Sequence, residues 1–311
     1  MPVRAEHMRF AVSWLLALCC AAAVLAGCGS GSSPDVLGSA SGPDVLTAPI
    51  RLVGTTDGTV AYRELGSGPA LLLITGADAS MDGWPASFVD ALAAHHEVVV
   101  FDNAGVGRTT SVSAPASLSV TAMASQTSAL ISALRLGRPA VLGWSMGGMI
   151  AQALAVSHPA QVSRLILAAS AAGTGKAVPL PPSAAVFRLN PEQIEASLFP
   201  KNQAAAARAY LNAIQQYPGS YGVSAATFHS QYLAAERWLA GQDAPGHLVA
   251  DIRMPTLVAD GTADQYTGPV NARLLASTVP GAKLLLYDDA GHGFLFQDAA
   301  RFTRAVEIFI S

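Results

Sequence analysis

Four short runs of almost wholly apolar residues constrain the fold of this chain more than any other feature. They are Ala70–Thr75, Glu97–Asp102, Ala140–Trp144 and Arg164–Ala169. Runs of this length without polar alternation are typical of strands buried on both faces, as in parallel sheets covered by helices. Helical patterns separate them, with apolar side chains at i, i+3 and i+4 in residues 120–134.

The remaining segments extend the same pattern. Strands are predicted before and after the Asp57-Gly58 turn signal and on both sides of a later helix: Ile50–Val53, Thr59–Leu65, Thr256–Ala259 and Lys283–Tyr287. Helices are predicted at Met146–Ser157, near Val270–Ser277 and at the C-terminus. Strands that alternate with helices predict an α/β fold: a doubly wound, mainly parallel sheet with an antiparallel start.

Residues 172–250 interrupt this alternation. The apolar strand runs disappear, and Ala-rich stretches with scattered aromatic residues replace them. We interpret this segment as a helical cap inserted between two parts of one core, residues 49–171 and 251–311. The aromatic side chains could line a pocket under the cap or pack its helices together.

The N-terminal segment is predicted to be a targeting signal and not part of the fold. Arg4 and Arg9 precede the apolar run Phe10–Ala26, which is shorter than the roughly 20 residues of a membrane-spanning helix. Leu25-Ala26-Gly27-Cys28 resembles the lipobox of bacterial lipoproteins, which implies cleavage after residue 27 and a diacylglyceryl group on Cys28. The alternative is an ordinary signal peptide, or a retained anchor, with Cys28 incidental.

The anchor prediction sets the expected location and partners. Residues 28–48 are rich in Gly, Ser and Pro and are predicted to be a flexible tether. The body would then be secreted and held at the outer face of a bacterial membrane by its lipid. The net charge of -3 and the lack of a basic stripe argue against a nucleic-acid partner.

The sequence Gly143-Trp144-Ser145-Met146-Gly147-Gly148 lies between a predicted strand and a predicted helix. It matches the nucleophile elbow G-x-S-x-G in the strand–turn–helix context that this motif requires. Ser145 would have to adopt a strained turn that lifts its hydroxyl above the sheet. Side chains at 143 and 147 would collide with neighbouring backbone, so we expect glycine at both positions.

From Ile50 to Ser311 the chain resembles the α/β-hydrolase superfamily. The stretches that resemble its capped esterases, enol-lactonases and cofactor-free haloperoxidases (perhydrolases) are LLLITGADASMDGW, FDNAGVGRTT, LGWSMGGMIAQALA and DDAGHGF. The resemblance implies a catalytic triad in the order Ser, Asp, His. Ser145 would attack a carbonyl, His292 would take and return its proton, and Asp264 would orient and stabilise the imidazole.

Two parts of this site stay open at the level of sequence. Asp260 is a rival for the acid, although the family places its acid three residues after Gly261, which is Asp264. Oxyanion N–H groups are expected from Met146 and from Ala77. Many relatives have His-Gly where this chain has Thr75-Gly76, which makes the second donor harder to assign.

The sequence therefore predicts a serine hydrolase of a small-to-medium, mostly apolar carboxylic ester or lactone. The same triad also serves perhydrolases and C–C bond hydrolases, so the fold does not choose the substrate. A further alternative is a cell-envelope binding lipoprotein that kept the fold without catalysis. No cofactor is implied, and the remaining histidines form no metal-ligand pattern.

Overall fold

The computed structural model describes residues 42–111, 118–185, 191–219 and 222–311. The predicted signal peptide, Cys28 and most of the predicted tether lie outside these ranges. No helix of the described residues combines the length and the apolar character needed to cross a membrane.

One eight-stranded sheet forms the centre of the described structure. Its strands are β1 (Arg51–Thr55), β2 (Gly58–Leu65), β3 (Ala70–Ile74), β4 (Glu97–Phe101), β5 (Ala140–Trp144), β6 (Arg164–Ala168), β7 (Thr256–Gly261) and β8 (Lys283–Tyr287). The spatial order is β1-β2-β4-β3-β5-β6-β7-β8. The β1–β2 and β2–β4 pairs are antiparallel and the others are parallel. This confirms the predicted mainly parallel sheet with an antiparallel start.

Helices cover both faces of the sheet. The α-helices of the described residues are α1 (Ala86–Ala93), α2 (Val120–Leu134), α3 (Met146–Ser157), α4 (Pro191–Leu198), α5 (Ala204–Ile214), α6 (Ala225–Leu239), α7 (Gly268–Thr278), α8 (Phe294–Gln297) and α9 (Ala299–Ile310). Alternate residues of β3 point to opposite faces. Leu72 and Ile74 therefore join the cluster under α2, α3 and α7, whereas Leu71 and Leu73 join the cluster under α1 and α9.

The predicted elements agree with the structure to within about two residues at each end, and the differences are local. The hairpin strand predicted at Ile50–Val53 is observed at Arg51–Thr55, because Gly58 at φ 106° makes a tighter turn than the prediction allowed. Helix α1 was not predicted. It begins after Pro85, and its Phe88 ring stacks on Trp84 at 5.7 Å, so tertiary packing fixes a helix of only two turns.

The helices α4, α5 and α6 lie between β6 and β7, and we refer to them as the insertion helices. Their aromatic residues serve both purposes that the sequence left open. Trp238 is fully buried and donates from Nε1 to the carbonyl of Ala171 at 3.1 Å, which ties α6 to the core. Tyr210, Phe228 and Tyr232 instead line a cavity beside the elbow.

The end of the predicted tether packs against the body. Val45 is fully buried, and its N–H donates to the carboxylate of Asp90 at 2.8 Å. Arg63 donates from a guanidinium nitrogen to the carbonyl of Ala48. The predicted tether therefore extends too far, because residues 45–48 already contact the body. The sequence could not show this, since the aspartate that accepts from Val45 lies far away in the sequence, on α1.

Candidate active site

Ser145 occupies a sharp turn between β5 and α3. Its backbone has φ 57° and ψ -121°, a conformation that non-glycine residues adopt only under constraint. A Cβ at Gly143 would lie 2.3 Å from the carbonyl oxygen of Gly147, and one at Gly147 would lie 2.1 Å from that of Ile74. The expected need for glycine at 143 and 147 is confirmed, since the backbone segments are too close for any side chain.

His292 and Asp264 meet at the carboxyl end of the sheet. His292 Nδ1 lies 2.9 Å from Asp264 Oδ2, and both side chains are buried. Asp264 also accepts from the N–H of Tyr266 and from the hydroxyl of Thr267, each at 2.7 Å. Burial acts to raise the pKa of Asp264, but the neighbouring His292 and the hydrogen bond from Thr267 lower it below its usual range, so the group stays a carboxylate.

The imidazole is placed against the nucleophile strand. Trp144, the residue before Ser145, donates from Nε1 to the carbonyl of His292 at 3.1 Å. The ring of Tyr266 packs edge-on against His292 with centroids 5.1 Å apart. Ser145 and His292 line the same cavity. The structure therefore brings the predicted nucleophile, base and acid together at one edge of the sheet.

Asp260 lies at the end of β7 and is fully buried. It accepts the N–H of Gly261 at 2.8 Å, as expected for a carboxyl that caps this turn, and its side chain lies beside that of Asp264. Burial, and then the charge of Asp264, raise the pKa of Asp260 well above its usual range. The raised pKa favours the protonated form of Asp260 beside the carboxylate of Asp264. His292 is paired with Asp264 and not with the rival Asp260.

The loop after β3 lies directly beside the nucleophile. A Cβ on Gly76 would be 3.1 Å from that of Ser145, and Ala77 lines the cavity together with Met146. Met146 is the first residue of α3, where backbone N–H groups lack an intrahelical partner and carry positive partial charge. Both expected oxyanion donors therefore border the space above Ser145.

Two residues that the sequence did not indicate hold this loop in place. Asn103 donates from Nδ2 to the carbonyl and to the hydroxyl of Thr75, at 3.1 and 3.2 Å. Gln231 of α6 accepts the N–H of Asp78 at 3.1 Å. The loop thus has polar contacts from β4's C-terminal turn and from an insertion helix. No local pattern could have revealed either contact, because each joins distant parts of the chain.

The cavity above Ser145 has a volume of about 320 Å³, at the small end of the usual range for ligand sites. Most of its walls are apolar, with Met149, Leu180 and Ile194 among the contributors. Among the described residues that line it, the aspartates Asp78 and Asp82 carry formal charge, and none is lysine or arginine. Such a cavity suits a neutral molecule better than an anion.

A buried charged cluster supports the wall of this cavity from below. Asp82 forms an ion pair with Arg63 at 3.4 Å, and both side chains are almost fully buried. The neighbouring Asp102 accepts the N–H of Met81 at 2.7 Å. Burial raises the pKa of Asp102 to about 7, and the nearby carboxylate of Asp82 adds to the effect, against the opposing influence of the Met81 hydrogen bond and of Arg63.

Comparison with known proteins defines the class. Residues 69–299 match the family model described as the alpha/beta hydrolase fold, so the chain belongs to the α/β-hydrolase family. A solved α/β-hydrolase fold protein from Chitinophaga pinensis superposes with a TM-score of 0.75 at 25% identity, covering 86% of this chain and 99% of that one.

The similar proteins of named activity differ in their reactions. A poly(3-hydroxyalkanoate) depolymerase from Ectopseudomonas oleovorans is 30% identical over 68% of this chain and 74% of its own length. A 2-hydroxy-6-oxononadienedioate/2-hydroxy-6-oxononatrienedioate hydrolase from Burkholderia vietnamiensis is 28% identical over 82% of this chain and 92% of its own. The polyketide synthase ThaQ of Burkholderia thailandensis is 30% identical over 79% of this chain, which spans 12% of that protein.

Proposed function

We propose that this protein is a serine hydrolase that cleaves small-to-medium, mostly apolar carboxylic esters or lactones. The observation that carries the proposal is the buried His292–Asp264 pair at 2.9 Å, on the cavity that Ser145 enters from a strained elbow. Strain of this kind costs free energy and persists where the surrounding structure enforces it, often at a functional site.

The chemistry follows from these positions. Ser145 Oγ adds to the substrate carbonyl carbon while His292 Nε2 takes its proton, and the Asp264 carboxylate stabilises the imidazolium. The carbonyl oxygen becomes an oxyanion that the N–H groups of Met146 and Ala77 stabilise. The alkoxide leaves with the proton from His292, and an acyl-enzyme remains. Water, activated by His292, then releases the acid and regenerates Ser145.

The charge of the cavity favours neutral substrates. Lysine and arginine are absent from its described lining, whereas Asp78 and Asp82 contribute carboxylates, of which Asp82 is paired with Arg63. A dicarboxylate of the kind named for the Burkholderia vietnamiensis relative would bring its negative charges against these groups. An ester such as the poly(3-hydroxyalkanoate) named for the other relative is uncharged along its chain, which agrees better with this lining.

Covalent labelling tests the nucleophile. A fluorophosphonate probe should label the wild-type protein and should fail to label Ser145→Ala. The matched control is Ser197→Ala, because Ser197 lines the same cavity and its hydroxyl donates to the carbonyl of Ile194. Labelling that survives Ser145→Ala would place the nucleophile at another residue. A folded wild type that is never labelled would support the non-catalytic binding protein instead.

A matched pair of esters tests the preference for neutral substrates. The p-nitrophenyl ester of hexanoate and the mono-p-nitrophenyl ester of adipate have the same acyl length and differ by one terminal carboxylate. We expect kcat/KM to be higher for the hexanoate, because the adipate carboxylate would lose water in a cavity whose described lining has no lysine or arginine to pair with it. A cost of about 1.4 kcal/mol would give a factor of about ten. Preference for the adipate ester would favour a hydrolase of carboxylate-bearing substrates.

We also propose that the body is tethered to a membrane surface through a lipid on Cys28. The support is the apolar run before this residue, the small residues at the cleavage point and the Gly/Ser-rich stretch after it. A diacylglyceryl group supplies the two chains that stable anchoring needs.

A further inference from the structure

The side chain of Gln231 connects an insertion helix to the loop beside the nucleophile. It lies on α6, is fully buried, and its Oε1 accepts the backbone N–H of Asp78 at 3.1 Å across 153 positions of sequence. The N–H requires an acceptor, which fixes the orientation of the amide.

The loop that it contacts is held from both sides of Ala77. On the N-terminal side, Asn103 donates to the carbonyl of Thr75. On the C-terminal side, Gln231 accepts from Asp78, whose backbone is in the left-handed region with φ 58°. Since peptide planes are rigid, fixing the planes before and after the Gly76–Ala77 peptide leaves the direction of the Ala77 N–H little freedom. That N–H is the second expected oxyanion donor.

Packing alone does not explain a glutamine at this position. Within the described residues, Gln231 Nε2 is buried and has no hydrogen-bond partner. An unsatisfied buried donor is destabilising, and an apolar side chain of similar size would avoid it. The hydrogen bond to Asp78 is therefore the contact that the amide provides at this position.

We propose that Gln231 is a positioning residue for the oxyanion hole: it holds Asp78 so that the Ala77 N–H points at the developing oxyanion. The inference rests on the proposed serine hydrolase function. It means that α6 contributes to turnover as well as forming a wall of the cavity. An oxyanion donor acts mainly in the transition state, so its misplacement lowers kcat and leaves KM nearly unchanged.

The test compares Gln231→Leu with Gln126→Leu. Gln126 is also a buried glutamine on a helix, but its Nε2 donates to the carbonyl of Thr110, outside the oxyanion loop. Loss of a whole oxyanion donor lowers kcat about 10²- to 10³-fold, and a displaced donor retains part of its effect. We expect kcat of Gln231→Leu on p-nitrophenyl hexanoate to fall about 10- to 100-fold, with KM within about threefold of wild type.

Two further readouts separate positioning from a structural role. Gln231→Leu removes the unsatisfied Nε2 and also the acceptor of the Asp78 N–H, so the two effects on stability oppose each other. Its Tm should therefore stay within a few degrees of that of wild type, whereas a mainly structural role would lower it further. The pH profile of kcat/KM should keep the midpoint of wild type and differ only in a lower plateau value, because His292 and Asp264 are unchanged. Gln126→Leu should keep wild-type kcat.

Each other outcome overturns the inference. An unchanged kcat in Gln231→Leu refutes it. A Tm of Gln231→Leu more than a few degrees below that of wild type refutes it as well, and so does a fall in the kcat of Gln126→Leu equal to that of Gln231→Leu. A shifted pH midpoint would place the effect on the triad instead. If the wild type neither turns over the ester nor reacts with a fluorophosphonate, the proposed function fails. If the wild type is active and Gln231→Leu is equally active, only the inference about Gln231 fails.

Discussion

Two buried carboxyl groups four residues apart allow a matched test of which one serves the base. Asp264→Asn and Asp260→Asn are the same isosteric change, and each removes one ionisable group. The structure predicts different outcomes, because Asp264 pairs with His292 and has a lowered pKa, whereas Asp260 accepts from Gly261 and has a raised pKa.

The expected loss for Asp264→Asn follows from its geometry. The carboxylate and imidazole atoms are 2.9 Å apart, and the Asp264 side chain is fully buried. Unit charges roughly 4 Å apart at an effective dielectric constant of about 20 interact by about 4 kcal/mol. At about 1.4 kcal/mol per factor of ten, this corresponds to about 10³ in rate. The wrong imidazole tautomer adds to the loss, and a serine protease of another fold loses about 10⁴.

Asp260→Asn should change kcat/KM far less than Asp264→Asn does. An asparagine keeps the shape of this side chain and places no second charge beside Asp264, and its oxygen can still accept from Gly261. We expect kcat/KM within about fivefold of wild type. The assay is kcat/KM on p-nitrophenyl hexanoate from pH 5 to 9, with Tm as the control for folding. A loss under tenfold in Asp264→Asn, or an equal loss in Asp260→Asn, would refute the assignment.

Three further perturbations test other parts of the molecule. Ser145→Ala should lower kcat by several orders of magnitude with Tm retained, leaving about 10³- to 10⁴-fold over water from binding and oxyanion donors, and full activity would contradict the mechanism. Asp102 has a pKa raised to about 7, so it binds a proton in the folded state that the unfolded chain releases above about pH 4. The contribution of Asp102 to stability should therefore fall as pH rises from about 4 to 7, by up to about 4 kcal/mol. Urea unfolding should show a shallower decline in Asp102→Asn than in wild type, and parallel curves would disprove the shift. Cys28→Ala should release the protein from the membrane fraction or block its processing, and mass spectrometry that finds an unmodified wild-type Cys28 would exclude the lipid anchor.

The sequence predicted the elements whose signals are local. The apolar runs predicted the strands of the sheet, because a strand buried on both faces is recognised from its own residues, without knowing which strands it pairs with. The elbow around Ser145 was equally clear, because the serine and its two glycines lie within five consecutive residues. The contact that requires glycine at 147 involves Ile74 of β3 and was not visible in the motif. His292 and Asp264 were assigned from motifs within a few residues of each.

The contacts that position the site were not predictable in this way. Gln231 is one of several polar residues in the Ala-rich helix α6, and its role depends on where α6 packs. Asn103 lies in a turn whose spacing says nothing about Thr75. The raised pKa of Asp260 depends on a burial that only the folded sheet creates. Val45 looked like tether because its neighbours are Gly, Ser and Pro, whereas the aspartate that receives it lies on α1.

Several contacts of the folded body join residues that are far apart in the sequence, and this affects the order in which the protein folds. Trp144 bonds to His292 across 148 positions, and His96 bonds to Glu307 across 211. A chain that leaves a ribosome or translocon N-terminus first would expose the elbow well before the acid and base loops arrive. Pairings between such distant segments form late in folding and slowly. Turnover should therefore appear after the helical circular dichroism signal during refolding, which makes the enzyme assay a reporter of complete assembly.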